Sequence, residues 1–526
     1  MKYDVIVIGG GHNGLVTAAY LARAGRSVLV LEQQDYPGGA AITTQEFQDF
    51  KYSVFSYAVS LLSTKIINDL DLHKHGLEIL PLDTTFTPLP DNNYLIRSTD
   101  PDRTYKEISR HSQKDADAYP RFMAMMARMA EVVKPLLTVT PPNPWSANWR
   151  EKLDLLRIGK HLYSLGPKDF HTFVKLMTMS ATDFLDEWFE SEPLKATLSS
   201  SGIIGTFLGP GSPGTAYVML HHYMGEIDGK YRAWGIPKGG MGSVSNAIAK
   251  AATEYGAEIR CSSPVQQIVC HNSSVSAVTL ADGTFIKSKC VASSLDPQRT
   301  FLNLMDSSDL SDEFIAAITS YKSRGSSGKV NLALSSLPVF KCLPNPGDHL
   351  QGAISISPSI SYLEKAYDEA KYGNYSSEPY LDILIPSILD HDLAPPGKHV
   401  MSIFVQYAPY DLKEGWDATT RENFGETVIS TLEHYIPNIR NIIMHKQILT
   451  PVDIERKLGI TQGNIFHGEL SPHQLFSMRP TIGYGNYKTP IHGLFMCGSG
   501  SHPGGGVSGY PGHNAARQIL AYRAYR

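Results

Sequence analysis

Three glycines and one acid near the start of the chain carry its clearest chemistry. Gly9-Gly10-Gly11-His12-Asn13-Gly14 has the G-x-G-x-x-G spacing, and Glu32 follows 18 residues after Gly14. Such glycines allow a tight turn at 9, close backbone approach to a pyrophosphate at 11, and close helix–strand packing at 14. A helix opening at this point offers free N–H groups and the positive end of its dipole to phosphates, so no lysine is needed, and His12 and Asn13 lie within the same turn. Glu32 can accept hydrogen bonds from an adenosine ribose. These residues work only if the right elements hold them. Residues 3–8 are a short β-branched apolar run, the pattern of a strand buried on both faces. Residues 15–24 read as a helix stopped by Gly25, and residues 27–31 as a second apolar strand that Glu32 closes. With strand, glycines, helix, strand and acid in register, a dinucleotide is the expected ligand. Two further matches to the spacing lack that context. The prolines of 209–214 suit neither a phosphate cradle nor a helix start, and 504–509 lies too near the C-terminus to open another such domain.

NAD and FAD share this fingerprint, and the rest of the chain separates them. Gly38-Gly39-Ala40 comes soon after Glu32, and residues 493–500 form an apolar strand ending in Gly498-Ser499-Gly500. A second glycine-rich turn containing Gly506 and Val507 then leads into an expected helix over about 512–525. That turn can aim backbone N–H groups at a phosphate or an electron-rich ring edge.

The paired ends resemble the FAD-dependent phytoene desaturase and amine oxidase superfamily, in which both termini build one FAD domain. Similarity is closest to a branch of its carotenoid and retinoid oxidoreductases, the one named for a pyridine nucleotide-disulfide oxidoreductase domain. It rests on stretches such as 112–116, 188–198, Leu220-His221-His222, Ala233-Trp234-Gly235, Gly239-Gly240-Met241-Gly242, 393–397, 463–467 and Cys497-Gly498-Ser499-Gly500 with 502–507. The resemblance implies FAD as cofactor and an α/β fold, with a discontinuous Rossmann-type FAD-binding domain and a second, mixed α+β substrate domain. It also implies that Val265 touches the adenine through its backbone. Many superfamily members have Gly-Gly-Arg where this chain has Gly38-Gly39-Ala40, so a basic contact near the phosphates is missing, as in the closest branch and in carotenoid ketolases. Disulfide reduction is not expected despite the branch's name. The five cysteines, Cys261, Cys270, Cys290, Cys342 and Cys497, include no C-x-x-C pair, which also argues against a disulfide framework.

The middle of the chain continues the pattern. Glycines at 239–242 lead into a helix ended by Gly256, followed by strands at 257–260, 265–269, 275–280, 284–286 and 290–293. This assigns 1–75, 235–300 and 455–526 to the FAD domain and 76–234 and 301–454 to the substrate domain. Residues 104–200 read as helical, with Ser180 in capping-box spacing and Pro193 in a first turn. Segments 328–338 and 350–407 alternate apolar and polar residues and are expected to be strands roofing the flavin. The methionines at 123, 125, 126 and 129 read as core, with a lipid-adapting surface as the alternative. No metal-ligand array exists, so His221, His467 and His513 are expected in structural roles. Pocket-facing candidates by motif position are His502, His222, Trp234 and Tyr217, with no acid–base pair assigned. Cys497 reads as a packed thiol rather than a covalent flavin link.

The chain has 526 residues, which suggests two or three folding units, and a formal net charge of −4, which gives no support for a nucleic-acid partner. No apolar run is long enough to span a bilayer, and the first residues lack the charge pattern of an export or transit leader. The expected setting is the cytoplasm, with peripheral membrane contact. The expected activity is FAD-dependent oxidation or desaturation of an apolar, isoprenoid-like or lipid substrate by hydride transfer to the flavin. A carotenoid ketolase or desaturase and a flavin-bearing regulatory or binding protein with little turnover are the alternatives. Substrate, electron acceptor and oligomeric state are left open.

Overall fold

The computed structural model describes residues 3–146, 148–227 and 233–522, together with the backbone of Lys230–Tyr231. The first strand–helix–strand unit forms as its apolar runs dictate. Val5–Ile8 and Val28–Leu31 are buried along their whole length and flank the helix His12–Arg23. They sit in a five-stranded parallel sheet ordered Glu258–Arg260, Val28–Leu31, Val5–Ile8, Val291–Ser293, Leu494–Met496. One face, with Val5, Val7, Val28, Val30 and Phe495, packs under helices. The other face, with Ile6, Ile8, Leu29, Leu31 and Met496, packs on an antiparallel layer of Val265–His271, Ser274–Leu280 and Phe285–Lys287. Strands covered on both sides need side chains that are apolar in both directions, hence the unbroken hydrophobic runs.

Two helix boundaries differ from expectation for a physical reason. The first helix begins at His12 rather than 15, with Gly11 as N-cap, no capping side chain and no acid in its first turn. The fingerprint residues themselves form the opening turn. The last helix is Tyr510–Leu520, with Pro511 in its first turn, where a missing N–H costs nothing. The end expected for it near 525 lies outside the described residues.

Above the parallel sheet stands a seven-stranded sheet ordered Ile443–Leu449, Ser327–Leu334, His399–Gln406, Tyr380–Leu384, Ala353–Ile356, Thr84–Pro88, Tyr94–Ser98. Its neighbours are antiparallel except Ala353–Ile356 with Thr84–Pro88. The expectation of strands throughout 350–407 is corrected by the helix Ile360–Lys371, capped by Ser359. Its buried Ile360, Leu363, Ala366 and Ala370 follow a helical period that the local alternation of polar and apolar residues disguises. Helices dominate 101–223. Met125, Met126 and Met129 of Gln113–Val133 are buried with Phe122, Phe184 and Leu220, so the methionine stripe is core. Ser180 accepts from the Asp183 N–H at 2.9 Å, and Glu192–Ser199 carries Pro193 in its first turn. The expected fold class stands: a Rossmann-type α/β sheet assembled from separated stretches of chain, beside a mixed α+β unit.

The helix His12–Arg23 is clasped between Gly242–Glu254 and Tyr510–Leu520, and Gly512 sets the second contact. A Cβ there would lie 2.2 Å from the Asn13 carbonyl oxygen. Gly512→Ala is therefore expected to lose about 1–3 kcal/mol through overpacking. Gly159→Ala, on a helix where a Cβ meets nothing within 4 Å, is expected to gain up to about 1 kcal/mol. Thermal unfolding of the two variants side by side checks the opposite signs.

Candidate functional site

A long, solvent-open cleft runs between the carboxyl ends of the parallel strands and the roof sheet, lined from both. Its floor is the fingerprint. Gly9, Gly11, His12 and Asn13 line it at the opening of the first helix, and Gly39 and Ala40 lie alongside. Gly14 lies outside the lining because its task is packing: a Cβ there would meet the Gly9 carbonyl oxygen at 2.2 Å. Gly38 also stays out of the cleft, at φ +141, and its N–H donates to the Gly10 carbonyl at 2.9 Å. Glu32 lines the far end. Its two carboxylate oxygens accept from the Gly10 N–H at 2.7 Å and the Gln34 N–H at 2.8 Å. One bond to each oxygen fixes the carboxylate while leaving further lone pairs for hydroxyl donors. Val265 and Arg299 complete that end.

The C-terminal turn closes the other side. Ser499, Gly506 and Val507 line the same cleft as the fingerprint. Asn13 Nδ2 donates to Ser499 Oγ at 3.1 Å, and Thr17 Oγ1 donates to the Gly512 carbonyl at 3.1 Å. Gly498 is excluded from the lining, since a Cβ would fall 2.2 Å from the Ser294 carbonyl oxygen. Beneath the turn the fully buried Arg479 donates to the carbonyls of Ser499 at 2.7 Å, Phe466 at 2.8 Å, Gly468 at 3.1 Å, and Glu469 and Gln474 at 3.3 Å.

Whether these residues fit FAD is tested by what they leave unpaired. The first helix presents an uncapped N-terminus with no acid near it, and among the described residues His12 Nε2 and Asn13 Oδ1 are buried without partners. Burial pushes His12 down to about 4, so its ring is neutral at physiological pH. Uncapped N–H groups and neutral polar atoms suit a pyrophosphate and its ribityl neighbour. The residues fit the group.

The roof supplies groups that pattern reading did not find. Lys329, the one charged residue of the strand Ser327–Leu334, is buried at the cleft with Nζ 2.6 Å from Ser402 Oγ and 4.2 Å from the centre of the Tyr57 ring. Loss of water pulls this amine down to about 7. Tyr57 donates to Asp382 Oδ2 at 2.6 Å, and its ring stacks on Phe404. Burial raises Asp382 to about 6, against the opposing pull of the Tyr57 hydrogen bond and the Lys329 charge. The available signal was a lone lysine inside the run Ser327–Leu334, whose residues are all buried. Nothing local marks Arg479.

Of the four pocket candidates, two face the cleft. Trp234 and His222 line it, with rings stacked at 6.1 Å and His222 Nδ1 2.9 Å from the Val218 carbonyl. Two do not. Tyr217 is buried in a cluster with Leu470 and Leu475 behind Phe466. His502 points to the Leu136 carbonyl, 2.9 Å from Nε2, and packs edge-on against Phe476. Buried His502 needs a hydrogen-bond acceptor, and the Leu136 carbonyl provides it outside the cleft. Cys497 lies in the core under the first helix, where burial pushes its thiol up to about 12. Among the described residues no cluster of three metal-ligating side chains occurs.

A family model described as flavin containing amine oxidoreductase matches residues 14–452. Pyridine nucleotide-disulfide oxidoreductase domain-containing protein 2 of Rattus norvegicus is 39% identical, over 99% of this chain and 93% of its own. A phytoene desaturase (lycopene-forming) of Pseudescherichia vulneris is 25% identical over 96% of each chain. Among solved structures, a putrescine oxidase bound to putrescine superposes with a TM-score of 0.62 at 15% identity, covering 100% of both chains, which shows a shared fold.

Two substitutions probe the cofactor's grip and its bed. Glu32→Ala is expected to weaken FAD affinity about 10–100-fold, or about 1.4–2.8 kcal/mol, and, by taking the acceptor from the Gly10 and Gln34 N–H groups, to cost the apoprotein about 1–3 kcal/mol. Arg479→Lys leaves buried carbonyls unmatched and is expected to lower the unfolding temperature with and without flavin. Flavin titration by fluorescence quenching and thermal melts distinguish the two.

Proposed function

The chain belongs to the flavin containing amine oxidoreductase family, and from that premise we propose that this FAD-dependent oxidoreductase acts on an apolar, isoprenoid-like or lipid substrate. The observation that carries this reading is the composition of the cleft between floor and roof. Phe55, Leu61, Ile204, Phe404, Ile465 and Phe466 face the space beside the fingerprint, with Trp234 at its edge. A ligand bound there is gripped by shape and apolar contact, with few groups available to orient polar functions. The similarity to a phytoene desaturase points the same way. A carotenoid ketolase or desaturase is a narrower form of the proposal.

FAD, when bound, supplies a two-electron acceptor for a substrate C–H bond. The fingerprint loop, Glu32, Ser499, Gly506 and Val507 would hold it, with Val265 at the adenine end. The protein's own task in the roof is to exclude water and to manage a proton. Tyr57 and Phe404 seal the region around Lys329. With its pKa near 7, Lys329 Nζ carries its proton below neutrality and can accept one above it. The tyrosine–aspartate pair beside it stabilises the protonated amine without a fixed ion pair.

The test is anaerobic flavin bleaching by fractionated lipid extracts, with mass spectrometry of the fraction that reacts. Bleaching by an apolar fraction is expected; bleaching only by water-soluble amines would overturn the substrate class. The reduction rate should rise with pH through about 7, as the Lys329 amine loses its proton, and Lys329→Met should flatten that rise and slow reduction about 100-fold. The stability sign is independent. The unfolded lysine titrates near 10.5 and the folded one near 7, so the unfolded chain binds more protons between those values. The burial penalty is complete below pH 7 and fades as pH rises toward 10.5. Lys329→Met should therefore melt higher than the parent protein at pH 6, by more than it does at pH 9.

A further inference from the structure

The helices Trp149–Tyr163 and Gly166–Thr178 carry a row of large apolar residues on the side away from the protein. Seven of the fifteen large hydrophobic side chains exposed among the described residues fall between 145 and 174. Trp149, Leu153, Leu156 and Tyr163 follow one helical stripe, with exposures of 63%, 39%, 68% and 88%. Phe170 and Val174 repeat the spacing on the next helix. Trp145, just before the first of these helices in the chain, and Ile482 line one groove and are 86% and 66% exposed. An ordinary surface helix shows the reverse, an apolar stripe turned inward. Here the inward side is partly supplied as well, by Leu162, Leu165 and Phe173 packed on the helical core. His161 Nε2, 2.9 Å from the Val132 carbonyl, pins the first helix in place. The outward stripe is therefore a presented surface on a fixed scaffold.

Its charge indicates what it meets. Residues 149–178 hold six lysines and arginines against three acids, in a chain whose net charge is −4. Lys152, Lys160 and Lys168 make no ion pair among the described residues, while Arg150 lies 5.7 Å from the Trp149 ring centre. Long cations bordering exposed tryptophan, leucine and tyrosine form the pattern of a helix lying in a lipid interface. There the aromatic rings sit at headgroup depth and the lysines reach outward to phosphates. None of the described helices is long and apolar enough to cross a membrane. Met177, at the end of the second helix, packs in the same cluster as Phe466, which lines the cleft. The docking face is thus joined by packed side chains to the cleft wall.

We infer that the helix pair 149–178, with Trp145 and Ile482, docks this protein onto the surface of an anionic lipid bilayer. The inference does not rest on the substrate reading, since docking needs no turnover. The experiment is flotation of the flavin-loaded protein with phosphatidylcholine vesicles, with and without phosphatidylglycerol. Three proteins are compared: the parent, W149S/L153S/L156S and K152E/K160E. The parent is expected to float with phosphatidylglycerol vesicles and to be released by high salt, with Trp fluorescence quenched by brominated lipid. The apolar variant should stay behind, and the charge variant should bind about 10–30-fold more weakly. Both should keep the parent's flavin content and unfolding temperature, because they alter exposed side chains. If the apolar variant loses its flavin, the charge variant and the quenching of the parent decide. Failure of the parent to float, equal flotation of both variants, or a parent dimer that the apolar variant abolishes without any vesicle binding would each overturn the inference. The last result would assign the face to a second copy of the chain. Flavin reduction by an apolar fraction would stand or fall separately.

Discussion

The contact between Asn13 and Ser499, 486 residues apart in sequence, is the constraint on which the cofactor site depends. The fingerprint loop is complete by residue 14, yet its cleft has only one wall until Leu494–Met496 joins the edge of the parallel sheet and Tyr510–Leu520 lies against the first helix. Gly512 permits that contact at the level of the backbone, and the Thr17 hydroxyl fastens it. The site is therefore complete only when both ends of the chain are in place. Closing so large a loop carries an entropic cost that grows slowly with length but must be met before the contacts reward it. FAD binding to the completed cleft adds stability by mass action, so the cofactor acts as a clamp on the two ends as well as a reagent.

What could be read from the sequence divides along the same line. The strand–loop–helix–strand start, the acid at 32 and the second glycine-rich turn announce themselves because backbone conformation and phosphate geometry demand particular residue types at particular spacings. Eleven of the fourteen residues assigned to the cofactor line the cleft, and the other three, Gly14, Gly38 and Gly498, shape the backbone behind it. The roof was less legible. Lys329, Tyr57 and Asp382 come from three distant strands or turns, and nothing in local pattern says that a fold will bring them together. Ile360–Lys371 was misread because a short amphipathic helix and an alternating strand share many of the same apolar positions. His502 was misplaced because position in a motif fixes the backbone, whereas the side chain goes wherever a buried hydrogen bond can be made.

Two buried cations show how one physical problem is solved for opposite ends. Arg479 is surrounded by the carbonyls of five residues, an arrangement a planar five-donor group can satisfy and lysine cannot. Its charge is neutralised by dipoles, and its effect is to hold the Ser499 turn and the Phe466–Gln474 loop in one arrangement. Lys329 has a single hydroxyl partner and an aromatic face. Burial pulls its pKa down to about 7, so holding it charged at low pH costs the folded state stability. Strongly shifted groups of this kind cluster in the clefts where proteins do chemistry. The arginine is held by its surroundings; the lysine is left able to change state.

The departure at Gly38-Gly39-Ala40 bears on how the negative cofactor is balanced. Arg299 and Lys329 are the lysine and arginine that line the cleft among the described residues, and they lie on different elements from the fingerprint. Arg299 stands near Gln33 and Gly459, at the Glu32 end of the cleft. With alanine at 40, no side-chain cation meets the phosphates from the Gly38–Ala40 side, and their charge falls to the uncapped N-terminus of His12–Arg23 and the neutral amide and imidazole beside it. Fixed dipoles of this kind lose little to reorganisation and need no side-chain cation from the Gly38–Ala40 side. A cleft so arranged answers the charge of a doubly anionic cofactor where it arises, at the opening of the first helix, and leaves Lys329 under the roof out of that balance.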